Sequence, residues 1–284
     1  MRILFIIILL FFFIYFIRKQ YFTNIIGNNI CCLYAYYEKD DNYKNNFTYF
    51  LQNGILPNVD YYIIINGNFT VELPSSNNIN VNVIRRENKG YDFGAWSSGI
   101  KNIQKSYNYY FFINTSVCGP YLQDNTKPWI DYFLELFNTP MVKVVGTSIN
   151  IFPSNTFGVY DLTQIYNKQA PFSHVQSMFF CVNKEYFDYL SSIQFFNEDE
   201  CNNAIDIHYI ISYKEIGLSQ NAIKNGWNIN CILQNYKNLD YTQIFSNINT
   251  SSPGGDPYFP NTYFGKTIDK YDVIFFKNNR FNDN

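Results

Sequence analysis

From residue 30 onward, short apolar runs alternate with amphipathic stretches. Ile30–Tyr37, Tyr61–Ile65, Val81–Ile84, Tyr109–Ile113, Val142–Gly146 and Met178–Val182 are rich in β-branched and aromatic residues, which predicts strands. Asn42–Asn53, Ala95–Lys105, Lys127–Leu136, Lys184–Ser192, Ala204–Tyr213 and Gly217–Asn225 space their apolar residues at helical intervals, which predicts helices. That alternation predicts an α/β domain with a mostly parallel sheet. Such sheets bind ligands outside the carboxyl ends of their strands. Asn66, Asp92 and Asn114 each follow a predicted strand, so they are expected around one crevice. No internal repeat or linker interrupts the pattern, and Ser251–Pro257 reads as a loop.

The pattern differs before residue 30. Ile3–Ile17 is unbroken and apolar, flanked by Arg2 on one side and Arg18-Lys19 on the other. Fifteen helical residues cover roughly 22 Å, short for a hydrocarbon core of about 30 Å. Snorkelling cations and interfacial tyrosine make up part of the difference. No small-residue cleavage site follows, which favours an uncleaved single-pass membrane anchor at 1–19 over a cleaved signal peptide or a buried helix. Residues 20–29 then form a polar stalk and 30–284 one domain. Positive charge is nearly balanced across the run, so its orientation is undecided.

Composition narrows the partners. A chain of 284 residues, 47% hydrophobic, has enough apolar surface for one large core. A net charge of −2 offers nothing to a nucleic-acid backbone, so no nucleic-acid partner is expected. Asparagine-rich composition produces sequons by chance, so those at Asn46, Asn68, Asn114 and Asn249 do not establish a secretory route. The six cysteines form no C-x-x-C pair and have no histidine at zinc spacing, and they are expected as buried thiols.

Glu87–Trp96 carries the densest candidate chemistry. Gly90 and Gly94 bracket Asp92, which stands between Tyr91 and Phe93, directly after a strand and before a helix. That arrangement brings backbone N–H groups and one carboxylate close to a ligand. A second strand and turn follow at Tyr109–Pro120. His174 opens a third segment, Ser173-His-Val-Gln-Ser-Met-Phe-Phe180, followed by Lys184-Glu-Tyr-Phe187. Glu215 sits in a fourth, Tyr213-Lys-Glu-Ile-Gly-Leu-Ser-Gln220, with Gly226-Trp227 beyond. Lys277 and Arg280 end Asp272–Arg280, which reads as a final strand.

Taken in order, these segments resemble inverting glycosyltransferases of the GT-A fold, closest to the rhamnan synthesis protein F group and family 2-like enzymes. The resemblance covers roughly residues 30–280. It implies a single GT-A-like (nucleotide-diphospho-sugar transferase) α/β domain that moves a sugar from a nucleotide-sugar donor to a glycan or glycoprotein hydroxyl. Asn66, Asn88, Gly90 and Asp92 would face the nucleotide, and Asn114 and Ser116 the diphosphate. His174 would touch sugar or phosphate, Glu215 would be the base, and Lys277 with Arg280 would offset leaving-group charge. Many such enzymes place Asp-x-Asp, a ligand of Mg²⁺ or Mn²⁺, where this chain has Asn114-Thr115-Ser116. Neutral oxygens hold a divalent ion weakly, so metal dependence does not follow.

Each residue also has a plainer role to weigh. Trp96 suits helix-to-sheet packing, Glu198–Glu200 a solvated loop, and Asp206-x-His208 a structural pair. Glu215 suits a helix N-terminus, and Lys277 with Arg280 a solvated basic tail. The alternative to an enzyme is a membrane-anchored glycan- or nucleotide-sugar-binding module that keeps the fold without turnover. A structural membrane protein with no ligand is a weaker third.

Overall fold

Three apolar runs lie side by side and parallel at the centre of the computed structural model, which describes residues 29–73, 80–124 and 126–277. They are β1 (Ile30–Tyr36), β2 (Val59–Asn66) and β4 (Tyr109–Asn114), with β1 in the middle. Every residue of β1 is buried, as a strand hydrogen-bonded on both edges and covered on both faces requires. β3 (Val81–Arg86) pairs only with β2, and its partly exposed Val-Asn-Val-Ile-Arg-Arg sequence suits an edge. On the other side lie β10 (Phe179–Asn183), β5 (Val142–Gly146) and β11 (Asn228–Cys231), giving the order β11-β5-β10-β4-β1-β2-β3. β10 runs antiparallel to both neighbours, and the other pairs are parallel.

Two small sheets flank this frame. β6 (Ile149–Phe152) pairs antiparallel with β9 (Phe172–Val175), and β7 (Thr156–Phe157) forms a hairpin with β8 (Tyr160–Asp161). The alternation of runs predicts none of β6, β7, β8, β9 and β11, because all are four residues or fewer and most carry polar positions.

Helices pack on both faces. Asp41–Asn53 is capped by Asp40, whose side chain accepts from the Tyr43 N–H. The next helix, Tyr91–Lys101, begins four residues before the expected Ala95, because Gly90 takes φ 70° and turns the chain straight from β3 into the first turn. Trp96 on this helix is fully buried and donates to the Ile113 carbonyl at 3.3 Å, so it is a packing residue.

Three further expectations change. Glu198–Glu200 opens a short helix, Glu198–Asn202, rather than a solvated loop, because Asn197 caps it. Cations also meet its carboxylates: Lys101 and Arg86 reach Glu198, and Lys214 reaches Glu200. Asp206 caps Ile207–Ile210, and that turn continues through a π-helical turn, Ile211–Glu215, into Ile216–Lys224. Glu215 therefore lies within a helical run and not at a helix N-terminus. The expected final strand at Asp272–Arg280 is also replaced. A capping box on Asp269 and Asp272 winds Lys270–Val273 into a helix, and Phe276 keeps only an isolated antiparallel bridge to Cys118.

All six cysteines are buried and free. Among the described residues, no helix is long and apolar enough to cross a membrane. The predicted anchor at 3–17 and the stalk through residue 28 lie outside the described residues, as does Arg280.

Candidate functional site

The chain lays β2 and β3 on one side of β1 and then crosses to place β4 on the other. A crevice opens where the strand order reverses, at the carboxyl ends of β1 and β4. A cleft of about 460 Å³ occupies it, within the range of small-molecule sites. β1 leads into Tyr37, Lys39 and Tyr43, β2 ends at Asn66, and the turn after β3 brings Asn88, Tyr91 and Asp92. Asn114, Thr115 and Ser116 follow β4. Because β10 is reversed, its amino end reaches the same edge and adds Gln176, Ser177 and Met178. Ile207, Ile210, Ile211 and Glu215 form the facing wall, and Lys277 arrives from the final segment.

Most predicted residues meet here, but several are committed to other side chains. Asn66 accepts from Arg86 Nη1 at 2.9 Å and donates to the Tyr36 carbonyl at 3.2 Å, tying together the ends of β1, β2 and β3. Asn114 donates from Nδ2 to Asp92 Oδ2 at 2.6 Å, and its Oδ1 accepts from the Ser116 N–H at 2.9 Å and hydroxyl at 2.6 Å. Asn88 is exposed at the rim. Gly90 does not line the cleft. A Cβ there would stand 2.5 Å from Asn202 Oδ1 and 2.9 Å from the Cys201 carbonyl carbon, so its glycine serves close packing against Glu198–Asn202. His174 is 2% exposed and also fails to reach the cleft, meeting Glu215 from behind instead.

Three charged groups face one another. Burial raises the Asp92 carboxyl to about 6, against the Asn114 hydrogen bond and Lys277, which lower it, and with Glu215, which adds to the rise. Burial also raises Glu215, but His174, Ser177 and Lys277 outweigh it and hold that carboxyl at about 2. Ser177 donates to Glu215 Oε2 through its N–H at 3.2 Å and through its hydroxyl. Desolvation lowers the Lys277 ammonium, while Glu215 and Asp92 favour its charged form.

Among the described residues, no three His, Cys, Asp or Glu side chains gather where they could hold a metal ion. The amide of Asn114 is turned wholly to Asp92 and Ser116. These residues do not by themselves fit Mg²⁺ or Mn²⁺, and the charge of Lys277 acts on both carboxylates.

Tyr37, Lys39, Tyr43, Tyr91, Gln176 and Ser177 are cleft residues that the sequence reading did not select. Tyr37 and Lys39 follow a strand end just as Asn66 and Asn114 do, so the same signal reaches them.

No family model matches the chain, and no curated protein matches it. Several solved glycosyltransferase structures overlap it loosely. Core-mannan synthase A from Aspergillus fumigatus, in its Mn/GDP form, aligns over 70% of this chain and 70% of its own at 12% identity, TM-score 0.37. A mannosyltransferase from Pyrobaculum calidifontis, in complex with GDP-Man and Mn²⁺, aligns over 57% of this chain and 46% of its own at 7% identity, TM-score 0.35. TarS from S. aureus, in complex with UDP-GlcNAc, aligns over 57% of this chain and 47% of its own at 11% identity, TM-score 0.34. The match spans about half the length of the last two. An overlap this loose establishes no family.

Proposed function

We propose that this chain is a GT-A-like glycosyltransferase that moves a sugar from a nucleotide-sugar donor to a glycan or glycoprotein hydroxyl, with inversion, from a domain spanning residues 30–284 behind a membrane anchor at 3–17. The observation that carries the reading is the meeting of Asp92, Glu215 and Lys277 in a cleft at the β1/β4 crossover. The ordered motifs of the sequence support it independently.

In this reading the base and ribose lie against the rings of Tyr37, Tyr43 and Tyr91, with Asp92 and Asn88 accepting or donating at their polar edges. Asn114 holds Asp92 in place and Ser116 lines the diphosphate position. Lys277, whose charged form both carboxylates favour against desolvation, offsets the charge released on the leaving diphosphate. Glu215 removes the acceptor proton. The π-helical turn that ends at Glu215 widens the helix at that point, a distortion common at functional sites.

One observation favours a second reading. A carboxyl held at about 2 is a weak base, as expected of a binding module that keeps the fold without turnover. Glu215→Gln separates the two. In the enzyme, transfer from UDP- or dTDP-sugars falls about 10²–10⁴-fold while donor binding persists. Wild-type protein that binds nucleotide but transfers to no acceptor, with or without Mn²⁺, establishes the binding module instead.

A further inference from the structure

His174 and Glu215 meet behind the cleft wall. The ring lies on β9, in register with Asn150 of β6. Its Nδ1 stands 2.8 Å from the Phe172 carbonyl oxygen. A carbonyl only accepts, so Nδ1 carries a hydrogen, and Nε2 holds the lone pair of the neutral ring. Nε2 faces Glu215 Oε1 at 3.7 Å. Two acceptors can stand at that distance unbonded, and one added proton converts the contact into a charge-assisted hydrogen bond. Ser177 fixes the other carboxylate oxygen, so Oε1 is the one left for the ring.

Three buried polar atoms lie on β9, its partner β6 and the helix Ile216–Lys224. Asn150 Oδ1, Ser173 Oγ and Gln220 Oε1 are buried without a protein partner among the described residues, and Gln220 also donates to the Ser173 carbonyl. The groups whose charge acts on Glu215 are Lys277 of the final segment, Asp92 of the helix Tyr91–Lys101 and, once protonated, His174 of β9. Lys214, its chain neighbour, turns away to the Phe195 carbonyl and Glu200.

We propose that His174 and Glu215 form one proton-holding pair, in which a proton taken by Glu215 from a hydroxyl in the cleft passes to Nε2 of His174. This rests on the reading of Glu215 as the base. The hydroxyl O–H bond breaks as a carboxyl O–H forms, and the freed electron pair makes the bond to the transferred sugar carbon while that carbon's bond to the diphosphate oxygen breaks and the nucleoside diphosphate leaves with the pair. The carboxyl O–H then breaks as Nε2–H forms, which restores the carboxylate and leaves an imidazolium. His174 touches no substrate and is a positioning residue. In the pair the proton comes to rest on the ring and not on the oxygen.

The chain has two histidines, and the other, His208, stands on the surface with a side chain 49% exposed. A ¹⁵N-imidazole NMR titration of the full chain therefore carries its own control. Glu215→Gln is expected to move the Nε2 resonance of His174 and to leave the ring nitrogens of His208 in place. Nδ1 of His174 is expected to stay protonated at high pH. In turnover assays, His174→Gln is expected to lower kcat at fixed donor KM. An unmoved His174 Nε2 resonance in Glu215→Gln, or a proton on Nε2 at high pH, overturns the pair. If the Nε2 resonance moves but the wild type transfers no sugar, the pairing stands and the transferase reading falls.

Discussion

Asn114 donates its amide hydrogen to Asp92 Oδ2 at 2.6 Å, joining the end of a central strand to the first turn of the neighbouring helix. The bond favours the ionised carboxylate, and burial opposes it more strongly. Burial consequently pushes the Asp92 carboxyl up to about 6, from an ordinary value of 3.8.

The two cleft carboxylates predict opposite pH dependences of stability. Asp92 is raised, so the folded state holds its proton longer than the unfolded chain, and stability falls as pH rises from about 4 to 6. Glu215 is depressed from 4.5 to about 2, so its contribution is present above about 4.5 and is lost as pH falls toward 2. Each shift corresponds to about 3 kcal/mol. Thermal melts should therefore show Asp92→Asn gaining on wild type between pH 4 and 6. Glu215→Gln should trail wild type at neutral pH and converge with it toward pH 2. A stability gap constant with pH, in either variant, removes that carboxyl from the shifted pair.

The sequons make a prediction about surface chemistry. Asn46, Asn114 and Asn249 are buried, and Asn249 donates to the Tyr236 hydroxyl and the Thr262 carbonyl. Asn68 is exposed. Folded protein from a glycosylating host should carry glycan at Asn68 alone, and Asn68→Gln should abolish the mass increment. A glycan mapped to Asn114 in folded protein would contradict the Asp92 contact.

Gly90 tests how the helix start is built. Gly90→Ala places a side chain at φ +70 and against Asn202 and Cys201. Gly226→Ala has a comparable φ of +75 but meets nothing within 4 Å. Denaturant midpoints should show a loss of about 1–3 kcal/mol for Gly226→Ala from backbone strain, and a larger loss for Gly90→Ala. Only Gly90→Ala should also weaken nucleotide binding, since Asp92 follows two residues later. Equal losses in the two variants would mean that the contact with Glu198–Asn202 gives way freely.

The central strands were legible because an apolar run of six to eight residues has few other ways to be buried. Phe172–Val175 was not, because it places Ser173 and His174 in the interior, where their partners come from Gln220 and Glu215 more than forty positions away. Asn66, Asp92 and Asn114 were found by their place after a strand, and the cleft brings all three together. The same rule stops short of Gln176 and Ser177, which precede a strand. They join the site because β10 is reversed, and hydrophobic alternation carries no direction. The run Glu198–Glu200 looks solvated until Arg86, Lys101 and Lys214 are folded against it.

The direction of β1 has a practical consequence. Its first residue, Ile30, and the cleft lie at opposite ends of the same strand, about 23 Å apart at 3.3 Å per residue. Any support joined ahead of Asn29 would grip the domain from the rear, with the mouth of the cleft turned outward. A bead, a carrier or a membrane attached there would leave large, slow-moving substrates free to approach the front.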